Sequence, residues 1–98
     1  MSVGQTFNNM AIVYEKQGDY PKALEHYQKA LDIKIPSVGE QHVEVAKSFQ
    51  GMAATFEKQD SRSDARQCYQ KAMEVYRHSH GEKYTAWFEA QIERLGDL

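Results

Sequence analysis

The chain has 98 residues, 12 basic and 14 acidic side chains and a formal net charge of −2, which bounds it to one domain, 1–98, with a thin core. The near-neutral balance, without a block of Lys or Arg or an acidic tail, points away from nucleic acid. No apolar run approaches the roughly 20 residues that span a bilayer, the first five residues lack a signal-peptide pattern, and the single cysteine, Cys68, cannot form an internal disulfide. No membrane association and a cytoplasmic location are expected.

The apolar period is helical almost throughout. Phe7, Met10, Ala11 and Tyr14 mark one face of a helix from about Val3 to Gln17. Gly18-Asp19 breaks it, and Pro21 suits the first turn of a second helix because it lacks an N–H. That helix buries Ala23, Leu24, Tyr27, Ala30, Leu31 and Ile33; Pro36 is expected to end or kink it near Lys34–Ile35, and Gly39 to stop it. A third helix, from about Gln41 to Gln59, is carried by Val45, Phe49, Met52, Ala53 and Phe56. Ser61 with Asp64 resembles a capping box opening a fourth, lined by Ala65, Tyr69, Ala72, Met73 and Tyr76 and ending before Gly81. A fifth, from about Lys83 to Leu95, offers Trp87, Phe88, Ala90, Ile92 and Leu95 to cover the end of the stack.

These elements repeat. Aligning Thr6–Lys47 with Ser48–Glu89, a shift of 42 residues, gives 14 identities, among them Phe7/Phe49, Met10/Met52, Ala11/Ala53, Ala23/Ala65, Tyr27/Tyr69 and Ala30/Ala72. Glu15-Lys16-Gln17 and Tyr27-Gln28-Lys29-Ala30 recur whole. A unit of this length cannot bury its apolar face alone and must stack on a neighbour. Alanines at the recurring small positions let paired helices approach closely, and the aromatics fill the space between pairs.

On Phe7–Met10–Ala11–Tyr14…Ala23–Tyr27–Ala30 and on Phe49–Met52–Ala53–Phe56…Ala65–Tyr69–Ala72, the chain resembles the tetratricopeptide repeat. The 42-residue period, Thr6-Phe7-Asn8-Asn9-Met10-Ala11, Gly18-Asp19-Tyr20 and Gly39-Glu40-Gln41-His42-Val43-Glu44-Val45-Ala46 are similar to the longer, kinesin light chain type, although Val43 stands where that family tends to have proline. The resemblance implies an all-α fold: antiparallel helix-turn-helix repeats stacked as a right-handed α-solenoid. Repeat one covers about 4–39, repeat two about 45–81, and a capping helix about 83–95. It also implies a concave face, built mostly from first helices, that binds a peptide or helix of a partner protein.

Mapped onto this chain, the groove candidates are Gln5, Asn8, Asn9, Ile12, Glu15, Lys16, Lys47, Gln50, Ala54, Glu57 and Lys58. Asn9 sits where such repeats use an amide to hydrogen-bond a peptide backbone; its counterpart, Gly51, cannot. The alternative is a self-association unit, a homodimer with or without a swapped repeat, or a piece of a longer array. Phe7, Trp87 and Phe88 are its candidates, since Trp87 and Phe88 cannot both face one side of a helix.

The basic clamp that grips a partner's terminal carboxylate is missing: Asn8, Ile12, Gln50, Gly51, Ile92 and Glu93 occupy its positions. His78-x-His80 has the wrong spacing for a metal site on one helix face, and Cys68, aligned with His26, reads as a small semi-buried residue. No nucleophile, base and orienting partner are suggested together, so neither an enzyme nor a cofactor is expected.

Overall fold

The computed structural model describes residues 2–96. In the described residues the chain forms α1 (Val3–Lys16), α2 (Tyr20–Val38), α3 (Val43–Lys58), α4 (Arg62–His80) and α5 (Thr85–Gly96). Each packs antiparallel on the next, and α1 also touches α3. The result is an all-α slab of 34 × 30 × 16 Å.

Caps and turns set the helix boundaries. Ser2 opens α1 by accepting the Gln5 N–H at 3.1 Å, and Asp19 opens α2 by accepting that of Lys22 at 3.3 Å. Both intra-repeat turns are Schellman motifs. Asp19 N–H reaches Tyr14 O and Gly18 N–H reaches Glu15 O; one period later, Ser61 N–H reaches Phe56 O and Asp60 N–H reaches Glu57 O. The pivot residues are left-handed, Gly18 at φ 82° and Asp60 at φ 60°. The second copy keeps the turn with a residue whose short polar side chain tolerates that geometry.

Three expectations need correction. Pro36 does not end α2, which runs on to Val38 with Gly39 as its C-cap. Proline removes a single donor near the helix end, leaving only the carbonyl of exposed Asp32 to water. Ser61 is the N-cap of α4, but its side chain makes no capping bond, so the capping box does not form. His42 instead caps α3, Nδ1 accepting the Glu44 N–H at 3.1 Å, which starts that helix at Val43, two residues later than read from the sequence.

The core divides in two. A small cluster of Ala11, Ala23 and Tyr27 lies inside repeat one, with Met52 packed against it from α3. The larger cluster joins α3, α4 and α5 through Ala53, Ala65, Tyr69, Ala72, Val75, Phe88 and Leu95. The alanines are fully buried, as close helix approach requires. Ile33 and Ala90 are exposed, against expectation, and Lys34 takes the inward place beside Ile33. The 3.6-residue period turns Lys34, three positions after Leu31, toward α3, and its aliphatic stem supplies the packing.

Candidate functional site

The first helices share one face, and two side-chain bridges across it show this. Glu15 on α1 meets Lys58 on α3 at 3.0 Å, and Glu57 on α3 meets Arg94 on α5, which also donates to Gln91 Oε1 at 2.8 Å. Glu15 accepts in addition the Tyr27 hydroxyl at 3.0 Å, and Glu57 lies close enough to the Tyr69 phenol for its charge to help raise it. Glu15 therefore ties its own repeat's second helix to the next repeat's first helix, and Glu57 joins the first helices α3 and α5. Burial, together with the adjacent carboxylates, raises both phenols, Tyr69 to about 12 and Tyr27 further still. The recurring Glu15 and Glu57, with Lys58, thus form joints between repeats, while Lys16 is exposed. Their recurrence at 42 residues was the available signal; Arg94 lay outside it.

Two turns from Glu57 along α3 lies Gln50, and two turns from Arg94 along α5 lies Trp87, so both belong to the same face. There Gln50, Tyr76, Tyr84, Trp87 and Phe88 line an open hollow of about 230 Å³. Trp87 is 49% exposed and meets Phe88 edge-on at 5.0 Å and Tyr69 at 5.9 Å. The rings of Tyr76 and Tyr84 stand 5.2 Å apart. Rings held by other rings offer a preformed apolar surface, and Gln50 brings an amide donor and acceptor to its edge.

A family model for the tetratricopeptide repeat matches residues 2–78 of this sequence. The chain belongs to the tetratricopeptide repeat family. No curated protein matches it. Among solved structures, the crystal structure of BtubC (BKLC) from P. vanneervenii is similar over 95% of this chain, with TM-score 0.76 and 24% identity. The chain spans 35% of that protein's length, and the likeness is one of fold. Proteins of this repeat family generally mediate protein–protein interaction and are typically not enzymes.

The sequence-read candidates are distributed unevenly. Lys16, Lys47 and Lys58 are exposed, while Gln5, Gln50, Ile12 and Ala54 are half-buried. Ile12 packs against the small core cluster. Asn8 is not a surface group: it is 7% exposed and accepts the Ser48 hydroxyl at 2.9 Å. Seven residues before Glu15 it also faces α3, and the close approach of α1 to α3 covers it. Asn9 is exposed, accepts from Gln5 Nε2 at 3.0 Å, and lies at the edge where the shared face turns to the outer side of α1.

Of the self-association candidates, Phe88 is buried against α4 at 2% exposure, which withdraws it from any second copy. Adjacent positions on a helix point about 100° apart, so Trp87 turns outward as Phe88 turns in. Phe7 is half-buried, with the Lys29 ammonium 5.7 Å from its ring centre.

Cys68 is buried, which pushes its thiol up to about 11 and makes it a poor nucleophile at neutral pH. His80 is held by the Ser79 hydroxyl at 2.7 Å and by the rings of Tyr76 and Tyr84. Among the described residues, no three His, Cys, Asp or Glu side chains are grouped to hold a metal, and no helix is long and apolar enough to cross a membrane.

Proposed function

We propose that the face shared by α1, α3 and α5 binds a peptide or helix of a partner protein, making the chain an adaptor segment. The observation that carries this is the aromatic hollow at Gln50 and Trp87: a large ring left half in water beside a ready hydrogen-bonding amide. Exposed aromatics in such a setting are where binding energy concentrates. A bulky apolar side chain of the partner enters the hollow, and Gln50 bonds its backbone. Lys58, already steadied by Glu15, and Lys47 favour a partner carrying acidic residues.

The 42-residue spacing supports a kinesin light chain type of array, with repeats at about 4–39 and 45–81 and α5 as cap, acting in the cytoplasm. Peptides selected from a random library against the protein test the assignment. Trp87→Ala and Gln50→Ala should each weaken binding by about tenfold or more, whereas Glu25→Lys on the exposed side of α2 should leave it unchanged. Peptides indifferent to both substitutions would remove the assignment. A stable dimer hiding Trp87 would replace it with the self-association reading.

A further inference from the structure

The two repeats differ in how they satisfy one carboxylate. After α4, Glu82 is held by Arg77 at 3.3 Å. One period earlier stands Glu40, and the place of Arg77 is taken by Ile35. Among the described residues Glu40 therefore has no basic partner at ion-pair distance. Glu74 on α4 differs from its counterpart in the same way. Asp32 accepts from Gln28 Nε2 at 3.0 Å, whereas Glu74 has no such bond among the described residues.

Both carboxylates border one hollow. Among the described residues α2 and α4 do not pack on each other, and between them lies a space of about 310 Å³. Ile35, Val45, Phe49 and Val75 give it apolar walls; Glu40, Glu74 and Lys71 give it charge, two carboxylates against one ammonium. The Lys71 ammonium stands 5.3 Å from the centre of the Phe49 ring, as Lys29 stands over Phe7 in repeat one, so this ring face accepts a cation. Lys29 is also paired with Glu25; the counterpart of Glu25 is Gln67, which leaves Lys71 without that carboxylate and easier to displace. Val45 and Phe49 lie one turn apart on the side of α3 opposite Ala54 and Lys58. The hollow is thus separate from the face shared by the first helices.

We infer that this hollow receives an arginine side chain of a partner protein. Its methylene stem lies against Ile35, Val45 and Val75, and its flat guanidinium covers Phe49 and donates to Glu40 and Glu74. The incoming arginine does for Glu40 what Arg77 does for Glu82. An acidic side chain would meet two unpaired carboxylates, and an apolar one would cover them without a bond. The single ammonium of lysine cannot both lie flat on the ring and reach the carboxylates with a fork of donors.

The test titrates acetyl-Gly-Arg-Gly amide into the isotopically labelled full chain, followed by NMR. The control is the same peptide with citrulline, which keeps the shape and loses the charge. The arginine peptide should move the resonances of Ile35, Val45, Phe49 and Val75 and bind about fivefold or more tightly than the citrulline one. Glu40→Gln should erase that difference. Ile35→Arg, which supplies the arginine from within, should abolish binding, Lys71→Ala should strengthen it, and Trp87→Ala should leave it unchanged. Absence of saturable shifts at these four residues would overturn the inference. So would equal binding of the two peptides, or undiminished binding to the Ile35→Arg protein.

Discussion

The two joints between successive repeats sit at equivalent places and are built from opposite materials. Where α2 meets α3 the joint is polar: Lys34, 4% exposed, donates to Glu44 O at 3.4 Å and lies 3.5 Å from Ser48, which donates to Asn8. Where α4 meets α5 the counterparts are Tyr76, Ala86, Ala90 and Gln50, and the joint is aromatic, with Tyr76 5.4 Å from Phe88. A buried ammonium loses hydration that carbonyls and hydroxyls only partly replace, whereas stacked rings gain from burial throughout. The polar joint therefore fixes register at some cost in stability, and the aromatic joint supplies stability. It also leaves a ring-walled hollow at the surface. Function on this account follows the second joint.

The substitution with the largest expected effect strikes the aromatic joint. Phe88→Ala should cost about 3–5 kcal/mol in urea unfolding, because a nearly enclosed ring leaves a cavity. Lys34→Met, the corresponding change at the polar joint, should be neutral or stabilising, since it removes a buried charge and keeps the stem's packing. A large loss there would show that the ammonium is a net gain and would erase the contrast.

Gly51→Ala comes next. Mid-helix this change normally helps by up to about 1 kcal/mol, but the collision with Tyr27 should reverse the sign and cost about 1–3 kcal/mol by thermal denaturation.

Alkaline pH separates the buried ammonium from the buried phenols and thiol by sign. Phenols and thiols raised by burial bind their protons more tightly when folded. Tyr27, Tyr69 and Cys68 therefore contribute stability that is intact below their unfolded values and is lost as pH climbs from about 9 through about 12. Lys34 is lowered, chiefly by burial, so its cost is present at neutral pH and is relieved as pH rises toward 10.5. Melting curves from pH 8 to pH 11.5 should show a net fall, made shallower by Tyr69→Phe and steeper by Lys34→Met.

The smallest effect concerns the entry to α5. Thr85 is buried, and its hydroxyl has no partner among the described residues. Thr85→Val, which places there the residue type of its counterpart Val43, should raise stability by a few tenths to about 1 kcal/mol in the same urea assay.

Much of the architecture was legible in the sequence because it rests on local rules. The apolar period marked all five helices, and the recurrence of Ala23 and Tyr27 at Ala65 and Tyr69 revealed the stacking. Gly18-Asp19 marked a turn whose second copy, Asp60-Ser61, keeps the same hydrogen bonds. Pro36 misled because the rule against proline weakens within the last turn of a helix. The site was less legible, since it depends on which side chains meet across repeats. Periodicity places Asn8 on a first-helix face, but only the approach of α1 to α3 shows that Ser48 covers it. Gly51 looked like a lost hydrogen-bonding position; it is the clearance for Tyr27, something no one-dimensional pattern records.

The most direct test of the central claim is to map a library-selected peptide onto the protein by NMR chemical-shift perturbation. The account predicts that the largest shifts fall on Gln50, Tyr84, Trp87 and Lys58, along the face shared by the first helices. Shifts concentrated instead on Glu25, Lys29 and Gln70, on the exposed sides of the second helices, would contradict it.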